Sequence, residues 1–169
     1  MFRIFLLFFI SVSGALSAQQ LVHKHHITFV VSKRKADFYT GVDYSIRLNR
    51  WQPVAGVETG ITRTFFQQRF NPLVKVGCVY LLVDRAAFKL GGSAMAYGGM
   101  LTYNKSEHQK QFTQEYLGGY MLTYGKRIML YHSMMIGSYT ESFRSRLTGR
   151  NSFYTAFNYS FNIGITYAF

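Results

Sequence analysis

The stretch FYTAFNYSFNIGITYAF, residues 153–169, decides how the rest of the chain is read. Taken alternately, Phe153, Thr155, Phe157, Tyr159, Phe161, Ile163, Ile165, Tyr167 and Phe169 form one apolar, aromatic-rich face. Between them stand Tyr154, Ala156, Asn158, Ser160, Asn162, Gly164, Thr166 and Ala168, small or polar for the most part. A period of two sustained over such a run is the signature of a β-strand, because successive side chains leave a strand on opposite faces. The apolar face is too continuous for water. A soluble sheet would cover it with a second layer, for which this chain has little length to spare, whereas lipid can cover it directly.

The remaining composition agrees with strands. The 169 residues suffice for one domain, 49% of them are hydrophobic and 18% aromatic, with 16 Phe, 13 Tyr and only 2 Pro. Mean hydropathy is near zero, which suits alternating strands better than spanning helices. The N-terminus is a separate object. Arg3 leads into the apolar run Ile4–Ile10, too short to span a bilayer, and small residues follow over Ser11–Ala18. This pattern predicts a secretory signal peptide over 1–18, with the mature domain over 19–169. The one cysteine, Cys78, has no intramolecular partner and falls on an apolar strand face as a small hydrophobe.

Eight alternating segments are predicted: 26–31, 38–48, 54–63, 73–83, 88–103, 112–124, 128–141 and 153–169. The first is the weakest, and a seven-strand count would follow if it were only a lead-in. Architecture and the closing strand together resemble the small outer-membrane β-barrels of the OmpX and OmpA-transmembrane type. The resemblance implies a single antiparallel eight-stranded transmembrane barrel. It also implies insertion by the barrel-assembly machinery, with Phe161, Tyr167 and Phe169 in the assembly signal. Such barrels place short turns in the periplasm and longer loops outside. The connections Gly125–Arg127, Asp84–Ala87 and Asn49–Pro53 are the short ones; Ser142–Ser152, Asn104–Gln111 and Thr64–Pro72 are longer. Only the first outer connection, Ser32–Asp37, breaks the alternation of lengths.

Charge follows the same partition. The formal net charge is +12, or +11 once Arg3 leaves with the signal peptide. Inward parity collects Asp43, Glu58, Glu115 and Glu141 against Arg47, Lys75 and Lys89. An eight-stranded barrel is just wide enough for side chains to fill it, so these charges are expected to pair in a closed interior. A proton or ion path along the same groups is the competing reading. Outside the interior, Lys33, Arg34, Lys35, Arg63, Arg69, Lys105, Lys110, Arg144, Arg146 and Arg150 face only Asp37 and Glu107 in the outer loops. A surplus of that sign suits the phosphates of lipopolysaccharide, either as a solvated rim or as a docking surface. Nucleic acid is not an expected partner of a secreted barrel, despite the basic balance.

No catalytic constellation emerges. His23, His25 and His26 precede the first strand and make at most a weak metal pair. His132, Ser133 and Glu141 matter because one family of small barrels, the lipid A deacylases, uses His, Ser and Glu. In that family the His and Ser stand two apart and share a face; here they are adjacent and must point to opposite faces. No cofactor is expected. Three functions stay open at this point: a non-enzymatic structural or interaction barrel, an accessory subunit of a larger outer-membrane complex, and, disfavoured by geometry, a lipid A-modifying enzyme. For the second, Tyr116, Tyr120 and Tyr124 on one outward face are the contact candidates.

Overall fold

Eight antiparallel strands close on themselves in the computed structural model, which describes residues 24–34, 37–61, 71–85, 87–103, 109–144 and 151–169. They are β1 (Lys24–Arg34), β2 (Phe38–Arg47), β3 (Trp51–Gly60), β4 (Pro72–Arg85), β5 (Phe88–Tyr103), β6 (Gln109–Gly125), β7 (Ile128–Arg144) and β8 (Asn151–Ala168). Each pairs with its neighbour in sequence, and β1 closes the sheet against β8 from His26↔Ala168 to Arg34↔Ser160. The weakest predicted segment is thus a full strand and the count is eight. The predicted signal peptide lies outside the described residues.

Register sets the dimensions. From Tyr167 of β8 the pairs run Ile27, Tyr44, Ala55, Val76, Ala96, Tyr116 and Ser138, and return to β8 at Phe157, ten residues short of the start. With eight strands, that stagger tilts them by about 40° and gives a radius of about 8 Å. A lumen this narrow is filled by the side chains that line it.

Alternation then sorts the residues. Leu73, Val79, Leu81, Met95, Leu117, Met121, Met129 and Met135 are buried inside. Phe29, Val57, Val76, Leu82, Leu130, Ile136, Phe157 and Ile165 stand exposed on the wall. An apolar exterior of this extent, carried by every strand, is a lipid-facing surface. No described helix is long and apolar enough to cross a membrane; the crossing is made by strands.

Several boundaries differ from expectation. The second connection is a two-residue turn, Asn49–Arg50, closed by Leu48 and Trp51 exchanging backbone hydrogen bonds of 2.7 and 2.9 Å, so Trp51–Pro53 belong to β3. Asn49 takes φ 56°, a left-handed value that asparagine tolerates and that tight hairpins need. Lys110 and Arg144 are strand residues of β6 and β7 rather than loop residues. Lys33 is also in a strand, on the outer wall, with its ammonium 4.4 Å from the Phe38 ring centre. The largest correction is Arg34, expected in an outer loop and found 1% exposed inside the barrel. The inward parity of His26, Thr28, Val30 and Ser32 simply continues to Arg34, where two carboxylates receive it.

Candidate functional site

The outer half of the lumen is organised by Arg34. Its guanidinium donates to Glu58 of β3 and to Glu115 of β6, the latter at 3.3 Å. It also lies against two rings, 3.9 Å from the centre of Tyr97 and 4.6 Å from that of Tyr39. Lys75 of β4 bonds Asp43 of β2 and reaches Glu58 at 3.2 Å. Asn158 of β8 donates its amide to Glu115 at 2.9 Å, and Asn71 donates to the Tyr39 hydroxyl at 2.9 Å. Side chains from seven strands therefore meet in one network of charged and aromatic groups. The backbone makes room for it: a Cβ on Gly56 would strike the Asp43 carboxylate, and one on Gly41 would strike Glu58.

Burying charges in so narrow a space is tolerated only when they are paired and hydrogen-bonded. Asp43, Glu58, Glu115 and Lys75 are interior, as their parity predicts, and each is 4% exposed or less. Arg34 is the cation missing from the predicted set. The other three predicted interior charges lie elsewhere. Glu141 is half-buried on β7 and accepts a hydrogen bond from the Tyr139 hydroxyl. Arg47 is half-buried at the opposite end, paired with Asp84. Lys89 is buried toward that same end.

Below the network the lumen is closed by Val79, Leu81, Met95, Leu117, Met121 and Met135, which pack as one apolar cluster with Tyr97. Lower still, hydroxyl and amide pairs tie strands together: Thr28 to Thr166 at 2.8 Å, Gln52 to Ser45 at 2.7 Å, and Asn162 to Ser133 at 2.8 Å. The space left there is a cavity of about 20 Å³ between His26, Lys89, Met95 and Tyr131, room for about one water. Along the described residues the interior is a packed core, without a path for solutes.

The turn end opens as a bowl of about 470 Å³, lined by Arg47, Asp84, Arg85, Lys89, Lys126, Arg127, Ala168 and Phe169. Aromatic residues ring the wall at this end. Trp51 and Tyr80 meet edge-on at 4.8 Å, Tyr167 stacks on Phe169 at 6.1 Å, and His25 stacks between Tyr44 and Phe169 at 5.9 and 5.6 Å. Aromatic girdles of this kind mark the headgroup level of a bilayer.

His25 also bonds the Tyr44 hydroxyl at 2.5 Å, and His23 lies outside the described residues. Among the described residues no three His, Cys, Asp or Glu side chains gather as a metal site. His132 points outward between Tyr120 and Phe161, at 5.5 and 4.9 Å, while Ser133 points inward to Tyr131 and Asn162. The two are on opposite sides of the wall and cannot act on one substrate. Phe161 and Tyr167 of the expected assembly signal face outward on β8, with Phe169 following the strand. Lys35, Arg63, Arg69, Lys105, Arg146 and Arg150 lie outside the described residues, and Lys110 and Arg144 are placed by backbone only.

A closed antiparallel wall of eight strands, apolar without and polar within, defines a transmembrane β-barrel of the bacterial outer-membrane class. Solved structures place the chain in the same company. It aligns with the N-terminal β-barrel domain of Pseudomonas aeruginosa OprF over 86% of this chain and 97% of that one, at 12% identity and a TM-score of 0.63. A major outer membrane protein of Thermus thermophilus aligns over 88% and 100% of the two chains, at 9% identity and a TM-score of 0.50. At these identities the likeness is one of fold alone. No protein-family model matches the chain, and no curated protein matches it in sequence.

Sequence signals exist for both Arg34 and the bowl. Extending the first alternation by two inward steps, through Ser32, turns Arg34 inward, and the expected connections Asp84–Ala87 and Gly125–Arg127 each carry an arginine.

Proposed function

We propose that this protein is a non-enzymatic outer-membrane barrel that acts through its outer loops, with lipopolysaccharide phosphates as their ligand, and not through its lumen. The observation that supports this most is the braced interior. Arg34, Lys75, Asp43, Glu58 and Glu115 cross-link the strands, and the methionine-rich cluster beneath them fills the bore. A rigid, filled barrel is a platform, and what varies on a platform is its loops. Lys35, Arg63, Arg69, Lys105, Arg146 and Arg150 supply cations on the loop side, where Arg binds phosphate bidentately.

Two measurements test the reading. Reconstituted in planar bilayers, the protein should give no conductance steps above background. Purified lipopolysaccharide should bind the wild type about tenfold more tightly than Arg146→Gln/Arg150→Gln, given the worth of charge-assisted hydrogen bonds. Discrete conductance, or equal binding by a folded variant, would refute it. The second reading, an accessory subunit, draws on Tyr116 and Tyr120. Both project from β6 beside Ala96 and Gly92 of β5, a shallow strip bordered by rings. Stoichiometric co-purification with a larger membrane protein in mild detergent would favour that reading.

A further inference from the structure

The bowl at the turn end has a charge balance that the interior does not. Inside, two cations meet three carboxylates at bonding distance. In the bowl, five cationic side chains, Arg47, Arg85, Lys89, Lys126 and Arg127, face one carboxylate side chain, Asp84. The carboxylates outnumber the cations inside the barrel, whereas cations outnumber carboxylates where the barrel opens. A solvated rim would scatter such charges around the outside. Here they surround a concavity, with Lys89 7% exposed at its floor, Arg47 half-buried, and Arg85, Lys126 and Arg127 exposed around its mouth. Its cations come from four separate elements: the end of β2, the end of β4, the start of β5 and the β6–β7 turn. Arg127 stands at the lip of the bowl, its guanidinium 5.3 Å from the ring centre of Tyr167 on the outer wall.

We infer that the bowl is a binding site for a small polyanion carrying two or more phosphate or carboxylate groups, presented from the periplasmic side. Its volume of about 470 Å³ falls in the range of small-molecule sites. Cations lining a concave, low-dielectric wall focus a positive field and raise the local anion concentration. Guanidinium groups add paired hydrogen bonds to planar or tetrahedral oxyanions. The same phosphate chemistry is offered by two sources, a soluble periplasmic anion and the headgroup of an anionic lipid in the adjoining leaflet.

The test uses the full-length folded barrel in zwitterionic detergent, titrated with inorganic tripolyphosphate by calorimetry at low ionic strength. Binding should weaken by about tenfold or more in Lys126→Gln/Arg127→Gln, while Lys33→Gln on the outer wall leaves it unchanged. Asp84→Asn should act in the opposite sense and tighten binding severalfold, because it removes the carboxylate side chain that pairs with Arg47. A loss of fold cannot produce that gain. Arg85→Gln serves as a second variant if the double one fails to show the heat-modifiable mobility of a folded barrel. Should tripolyphosphate not bind, nanodiscs of phosphatidylcholine with and without phosphatidylglycerol decide the source. Enrichment of phosphatidylglycerol around the wild type, lost in Lys126→Gln/Arg127→Gln, assigns the site to a lipid headgroup. Absence of both signals, or binding that ignores the bowl variants and Asp84→Asn, overturns the inference.

Discussion

Replacing Arg34 with methionine removes the one cation shared by Glu58 and Glu115 while roughly keeping side-chain length. Glu115 would retain the Asn158 amide, and Glu58 would have to share Lys75 with Asp43. Arg34 is 1% exposed and the side chains of Glu58 and Glu115 no more than 3%, so solvent cannot take over the lost role. Breaking a buried pair from one side leaves an uncompensated charge and costs about 3–5 kcal/mol. The two ring faces that hold the guanidinium contribute further at the scale of about 1 kcal/mol each. Arg34→Met should therefore lower unfolding stability by at least about 3 kcal/mol. Removing a carboxylate at the same time, in Arg34→Met/Glu115→Gln, should restore a substantial part, since the orphaned charge is what costs. The assay is urea unfolding in phospholipid bilayers, followed by the fluorescence of Trp51, the single tryptophan. Linear extrapolation with an unchanged slope gives the difference in stability. A cost below about 1 kcal/mol, the scale of a surface substitution, would refute the placement of Arg34 inside the barrel. A double variant less stable than the single one would refute the pairing argument.

Two further outcomes follow from the wall and the turns. Ile136→Arg puts a charge on an outward position that is 55% exposed, and in bilayers it should cost about 2–4 kcal/mol toward the midplane; an equally stable variant would mean that this part of the wall does not face hydrocarbon. Gly125→Ala tests the β6–β7 turn, where Gly125 takes φ +134° and a Cβ would strike the Ile128 carbonyl. The strained backbone should cost about 1–3 kcal/mol, read as a lower urea midpoint, and an unchanged midpoint would show that the turn relaxes freely.

The amino-acid sequence by itself determined the wall. Period-two alternation names the face of each residue without knowledge of its neighbours, because the pleat turns every side chain by half a revolution. Asp43, Glu58, Lys75, Lys89 and Glu115 were readable as interior for that reason, as were Phe157, Ile163 and Ile165 as exterior. Alternation also gave eight segments, since it lapses at seven connections. What it could not supply was where each strand stops and which interior groups meet. Trp51–Pro53 joined β3 because backbone pairing across a two-residue turn outweighed the breaking tendency of Pro53. Arg34 looked like one more loop cation beside Lys33 and Lys35, and only ring closure brings Glu58, 24 residues on, and Glu115, 81 residues on, to its guanidinium. The basic bowl arises the same way. Arg47, Arg85 and Arg127, far apart in the chain, reach one mouth because the closed barrel carries the ends of β2 and β4 and the β6–β7 turn to the same end. Facing is a local property of a strand, whereas partnership depends on the register around the whole ring, and that is set only when β1 meets β8.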